Sequence, residues 1–382
     1  MGRPPSRVAD YVIVGAGITG AAVAAQLTAG GVSTVVLEAG AGPARGATGS
    51  SGGMVRAYDP DPAIVRLALP SVTRYADPAA WISQTAPLHK VGAVTLAAPE
   101  HAEAFESAAA DLRAAGWPAE VVTGAHEVCG VRTSGAVALL EPSAGWVDPV
   151  RVTSLLLDEA MAAGAEVRLG TRVTGLEPSA DGTDGADGID VVTDHGTIRA
   201  RHGVVLATGA WAARQKLGVT DTAGSVRTRS IQTALVRRPS GVDYHCTFID
   251  LRTGGYGKPV DDQTSLIGYP LLDWDVDPDA AMPPDDAHRA RTVDVVAENL
   301  PWLHDAADVT AIRSMDAFSS DGNGSLDNTD THQTLVTLVA TGMPGVWLCR
   351  SGNGGGVRVA PELGRQIART LTIRRRRNGA LP

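Results

Sequence analysis

Cysteine is scarce: Cys129, Cys246 and Cys349 are scattered over 382 positions. An odd number at wide spacing suggests neither a disulfide framework nor a metal knuckle, so no metal site is expected. A reducing compartment, the cytoplasm, is the expected location. Long apolar runs are missing too. No stretch approaches the roughly 18 uninterrupted apolar residues of a membrane-spanning helix, and no membrane partner is expected. The opening MGRPPSRVADYVIVGAG has no apolar core or cleavage site of a secretory signal, so none is expected. Positive charge is in deficit. The formal net charge of −9 argues against a nucleic-acid partner, and the basic run Arg374 to Arg377, in the tail 374–382, reads as solvated. No repeat of fixed period is visible.

The composition, 44% apolar and 20% charged, is that of an ordered globular protein. The length points to two domains or one large α/β unit. Val8 to Val14 is an apolar, β-branched run, followed by a glycine turn and a helical composition from Ala21 to Ala29. Gly30-Gly31 and a second apolar run, Thr34 to Leu37, complete a βαβ unit. Residues 60 to 145 break this rhythm, with helices expected near 63–79 and 100–115 and a strand at Ala93 to Ala97. A helix is expected over Val150 to Ala163, then strands at Glu166 to Leu169, Arg172 to Leu176, Ile189 to Thr193 and Gly203 to Ala207. Alternating segments from about 215 to 340 predict an antiparallel sheet, and the last 40 residues return to strand, glycine loop and helix.

GAGITG, residues 15 to 20, fits the GxGxxG pattern with a strand before it and a helix after it. Gly15 makes the turn, Gly17 lets backbone approach a pyrophosphate at the helix N-terminus, and Gly20 permits close packing of helix and strand. Glu38, 18 residues after Gly20 and at the end of the second strand, is placed to accept from ribose hydroxyls and would repel a 2′-phosphate. FAD or NAD is therefore expected over NADP.

These residues, with GATGSSGGMVRAY (46–58), the stretch 146–176, GVVLATGAW (203–211) and SGNGGGVRVAPELG (351–364), resemble the D-amino-acid oxidase and glycine oxidase superfamily of FAD proteins. The pattern is most similar to the monomeric sarcosine oxidase and glycine oxidase branch. The resemblance implies an α/β fold: a glutathione-reductase-like, FAD-binding Rossmann domain plus a second substrate domain with an antiparallel sheet. The FAD domain is expected at 6–60, 146–214 and 341–382, and the substrate domain at 61–145 and 215–340. FAD, bound noncovalently, would contact Gly15, Gly17, Ile18, Thr19, Gly20, Glu38, Ala39 and Arg45. The loop Thr48, Gly49, Ser50, Ser51, Gly52, Gly53 and Met54 would run along the diphosphate and flavin. Val173 would meet the adenosine side, and Ala207, Thr208, Gly209 and Trp211 would close over the pyrophosphate. Gly352, Asn353, Gly354, Gly355, Gly356, Val357 and Arg358 would pass beside the flavin ring, where backbone N–H groups and a helix N-terminus stabilise negative charge. Pro361 is expected in the first turn of that helix.

The same resemblance implies FAD-dependent oxidation of a small amine or amino acid at its CH–NH bond to an imine, with dioxygen as acceptor and hydrogen peroxide as product. Arg56 falls at the family's substrate-carboxylate arginine and Arg358 where sarcosine-type enzymes carry lysine; arginine holds a carboxylate bidentately. Tyr58 and Tyr256 are candidate pocket walls or donors. Ser314 stands where the branch attaches FAD through cysteine, and Leu266 where it has an oxygen-activating lysine. Lys258 is the candidate substitute from the adjoining strand. The branch's paired flavin-loop histidines are replaced by small residues such as Ser51 and Gly52. A flavin dehydrogenase with another acceptor, a 2-hydroxy-acid oxidase, or a dinucleotide-binding protein without turnover are the alternatives. A monomer or homodimer is expected.

Other signals carry less. The GxSxG match at 49–53 lies inside the dinucleotide fold rather than on a nucleophile elbow. The run Asp321 to Asp327 resembles half a calcium loop, but Leu326 replaces its turn glycine and His332 its bidentate acid. His245-Cys246 has no partners at metal spacing and reads as strand.

Overall fold

The computed structural model describes residues 7–179, 188–213, 217, 226–242, 244–280, 282–306, 308–319, 338–349 and 353–378, the last five as backbone only. The calcium-like run with His332, and Gly352, lie outside them.

Two large sheets organise the chain. In the first, the buried strand Arg7–Val14 pairs in parallel with Thr34–Leu37 on one side and Gly196–Leu206 on the other. Glu166–Arg168 extends it beyond Thr34–Leu37, and Val346–Cys349 joins the end of Gly196–Leu206, both in parallel. Val173–Pro178 and Ile189–Thr193 add an antiparallel flank. Strands from the beginning, middle and end of the chain thus share one sheet. Its helices cross closely. Ile18–Ala29 packs on Pro149–Ala162 and on the C-terminal helix Gly356–Asn378. A methyl built on Gly364 would lie 2.6 Å from the Ala22 backbone, so glycine sets that approach. Asp148 caps Pro149–Ala162 by accepting from the Val150 and Arg151 N–H groups, with proline in the first turn.

The C-terminal helix begins earlier than expected. Gly356 is its first residue, and Pro361 lies inside it. Proline has no N–H, so the Val357 carbonyl one turn back loses its helical donor. The Tyr75 hydroxyl donates to that carbonyl at 2.7 Å instead, which lets the helix continue.

The second sheet runs Val309–Ser319, Val226–Arg237, Thr264–Gly268, Tyr256–Pro259, Thr247–Asp250, Ala93–Ala97, Val137–Glu141, Glu120–Val122. All neighbours are antiparallel except Thr247–Asp250 beside Ala93–Ala97, a parallel pair made where two distant segments meet. Period-2 alternation gives its faces opposite characters. One face, with Val94, Leu96, Ala138, Ala234, Phe248 and Ile267, packs on Val296 and Leu300 at the end of the Asp286–Ala297 helix. The register puts Tyr256 opposite Gly268, Lys258 opposite Leu266 and Arg229 opposite Asp316, all on the other face. Among the described residues no helix is long and apolar enough to cross a membrane.

Candidate active site

A cavity of about 620 Å³ follows the edge of the first sheet and reaches the second. At one end the strand Arg7–Val14 turns through Gly15, whose φ of +108° and position, with a built methyl 2.4 Å from the Ala207 carbonyl oxygen, require glycine. The helix Ile18–Ala29 then starts with no acidic residue in its first turn, leaving N–H groups and the positive end of its dipole toward the cavity. Thr48 Oγ1 accepts the Ile18 N–H at 3.2 Å. Gly20 stands behind the wall: a methyl there would lie 2.0 Å from the Gly15 carbonyl oxygen. The Glu38 carboxylate is fixed by the Ala16 N–H at 2.8 Å and the Gly40 N–H at 2.7 Å.

The cavity wall brings together Gly15, Gly17, Ile18 and Thr19, then Glu38, Ala39 and Arg45, then Thr48 and Ser51. Val173 lines one side; Ala207, Thr208, Gly209 and Trp211 line another; Gly354, Gly356 and Val357 stand at the far end. Bare backbone at a helix N-terminus, a fixed carboxylate and small hydroxyls in one elongated cavity fit the pyrophosphate and ribose of FAD. Gly49 is pressed on the Ala44 carbonyl, and Gly53 (φ +64°) on that of Val147, so these glycines shape the loop from outside the wall. Ser50, Gly52, Asn353 and Gly355 are likewise off the wall, and Met54 pairs with Trp146.

A match to the family model described as DAO, FAD dependent oxidoreductase, runs over residues 10–370. The chain belongs to this family. That family is one of FAD-dependent oxidoreductases. Dimethylglycine dehydrogenase of Rattus norvegicus is 27% identical over 215 residues, 53% of this chain and 24% of that longer protein. In fold the chain is similar to glycine oxidase from Geobacillus kaustophilus, with TM-score 0.73, 22% identity, and 96% and 95% of the two chains covered. L-proline dehydrogenase from P. horikoshii gives TM-score 0.76 at 20% identity over 96% and 94%. This chain spans about a quarter of the dehydrogenase from Rattus.

The expected substrate residues divide in this DAO-family protein. Arg358 is 4% exposed and donates to Asp59 at 2.7 Å, so its guanidinium already has a carboxylate. Arg56 is different: its side chain makes no hydrogen bond or ion pair among the described residues, and its Nε is buried without a partner. Burial, then the nearby Arg358, pull Arg56 down to about 10, against Asp59 and Glu141. Glu141, fully buried, accepts from the Ala57 and Tyr58 N–H groups and from Trp117 Nε1. Two acids and two arginines therefore cluster here, three of them buried and the half-buried Arg56 the open corner; with Met54, Thr247 and Ile249 it lines a gap that has no room for a water. Tyr58 is buried edge-on to Phe105.

Lys258 is 5% exposed, and its Nζ lies 3.7 Å from the ring centroid of Trp146, on which His89 also stacks. Burial lowers it to about 8, with Asp148 opposing. Its cross-strand partner Leu266 approaches Gly52 of the loop 48–54, where a built methyl would lie 3.6 Å from Leu266 Cδ2. Tyr256 packs over Gly268, which has no room for a side chain, and burial pushes its hydroxyl up to about 12.

Sequence reasoning missed Asp316, Arg229, Asp279, Thr171, Arg172, Leu217 and Cys349. Asp316 lines the cavity, accepts the Gly354 N–H at 3.1 Å, and is raised by burial to about 6. Arg229, opposite it, rests 3.9 Å over the Phe318 ring. Asp279 accepts from Trp211 Nε1 at 2.9 Å across the cavity rim, a loop contact without a local pattern. His245 and Cys246 precede the strand Thr247–Asp250 rather than belonging to it, and His245 Nε2 lies 2.8 Å from Ser265 Oγ.

Proposed function

We propose that this protein oxidises the CH–NH bond of a small amine bearing a carboxylate to an imine, passing the electrons to dioxygen to give hydrogen peroxide. Segments 61–145 and 215–340 are assigned as the substrate-binding part. The observation that carries this reading is the open guanidinium of Arg56, a half-buried cation whose buried Nε has no partner, in an FAD-binding protein. A desolvated arginine without a partner favours an anionic ligand, and a carboxylate fills it bidentately. FAD, when bound, accepts the hydride from the carbon next to nitrogen. Arg56 holds and orients the substrate, Arg358 and Asp59 brace it, and the sheet face with Tyr256 and Leu266 keeps water out. The similarity to glycine oxidase, L-proline dehydrogenase and dimethylglycine dehydrogenase supports an amine as the substrate class.

Anaerobic mixing tests the class: amines with a carboxylate should bleach the flavin, and 2-hydroxy acids should not. Arg56→Met should weaken carboxylate substrates by about 2–5 kcal/mol, read in kcat/KM, with flavin content unchanged. Equal loss for uncharged amines would remove Arg56 from this role. If Arg229→Met takes the selective loss instead, the carboxylate sits at the Asp316 end of the sheet face.

Lys258 supports dioxygen as acceptor, because a buried ammonium beside the flavin loop stabilises the developing superoxide anion. Lys258→Met should slow reoxidation by dioxygen roughly 10- to 1000-fold and leave anaerobic reduction nearly unchanged. In the wild type, reoxidation should slow as pH rises through about 8, where the ammonium loses its proton, and the variant should lack this step. A wild-type rate flat across that range, or re-aeration without peroxide, points to a dehydrogenase.

A further inference from the structure

Cys129 and Cys246 meet on the flank of the second sheet. Cys129 and Gly130 are the turn of a hairpin between Glu127–Val128 and Val131–Arg132, with φ of +54° and +74°. Such a turn favours asparagine or glycine at its first position, and cysteine there is held in a conformation it rarely adopts. The Cys246 N–H donates to the Cys129 carbonyl at 3.0 Å. The two side chains converge on Gly92: a methyl built there would lie 3.5 Å from Cys246 Cβ and 3.8 Å from Cys129 Sγ. Cys129 is exposed and Cys246 buried. The neighbouring Cys246 lowers the Cys129 thiol to about 7, whereas Cys129 and burial push Cys246 up. An exposed thiol of lowered pKa beside a buried one is the arrangement of an attacking and a resolving cysteine.

We propose that Cys129 and Cys246 form a peroxide-sensitive dithiol that closes reversibly to a disulfide. Cys129 Sγ attacks one oxygen of hydrogen peroxide, the O–O bond breaks, and a sulfenic acid and water result. Cys246 Sγ then attacks the Cys129 sulfur, the S–O bond breaks, the S–S bond forms and a second water leaves. Two thiols are oxidised and one peroxide is reduced. The closed bridge ties the hairpin to the start of the strand Thr247–Asp250, which borders the gap beside Arg56.

The test treats the FAD-loaded protein with added hydrogen peroxide, then denatures, alkylates and weighs it. Because peroxide is supplied, the result is independent of whether the protein produces any. Reduced protein should alkylate at all three cysteines. Treated protein should alkylate only at Cys349, weigh two hydrogens less before alkylation, and recover all three thiols with dithiothreitol. Cys246→Ser should instead gain oxygen atoms at Cys129, and Cys129→Ser should leave Cys246 reduced. Full alkylation of treated wild type, a disulfide between two chains on a non-reducing gel, or identical products from Cys246→Ser and wild type would overturn the proposal. The wild-type thiol count decides even if either variant fails to fold.

Discussion

Gly15→Ala is expected to yield protein purified almost without flavin. The new methyl would lie 2.4 Å from the Ala207 carbonyl oxygen and 3.0 Å from its carbon, both backbone atoms that no rotamer change can move. The φ of +108° is itself unfavourable for alanine. Relief comes only by separating the first turn from the strand Gly196–Leu206, which distorts the phosphate end of the cavity from both sides. FAD affinity should fall roughly 100-fold or more, as read by fluorescence titration and by the flavin-to-protein absorbance ratio. The FAD-dependent rise in thermal midpoint should shrink with it, since bound ligand stabilises in proportion to the logarithm of its saturation. Wild-type flavin content in this variant would show that the turn does not carry the cofactor.

Asp59→Ala is expected to cost about 3–5 kcal/mol of unfolding free energy, because it strands the Arg358 guanidinium. Both side chains are nearly inaccessible, 5% for Arg358 and 6% for Asp59, so water cannot replace the lost carboxylate. The double variant Asp59→Leu with Arg358→Met should recover most of the loss, since the buried charge is then gone from both sides. Urea unfolding of the FAD-loaded proteins measures this. If Asp59→Ala loses under about 1 kcal/mol, the pair is hydrated and is not a buried unit. The result also separates two roles for arginine: Arg358→Met should show mainly in stability, and Arg56→Met mainly in kcat/KM.

The dinucleotide end was legible because its determinants are local. A β-branched strand, Gly15, a helix opening at Ile18 and Glu38 at the next strand end follow one another within a few turns of chain. The C-terminal glycines were legible for the same reason, although the helix start was misplaced: the compensation for Pro361 comes from Tyr75 on a helix far away in sequence. The substrate end was less legible. Arg56 and Arg358 look alike as letters, and what distinguishes them is Asp59, which lies beside one in sequence and 299 residues from the other. Asp316 and Arg229 become a pair only when the strands Val309–Ser319 and Val226–Arg237 take their register.

By itself the sequence determined the nucleotide-binding βαβ unit and the FAD family, because backbone conformation and hydrophobic periodicity are set by residues close along the chain. Only the tertiary structure decided which cations are neutralised, which face of the second sheet looks toward the cavity, and which cysteines come near each other. Those properties belong to distances between remote residues, and the energy of a buried charge or thiol depends on the neighbour that folding brings to it.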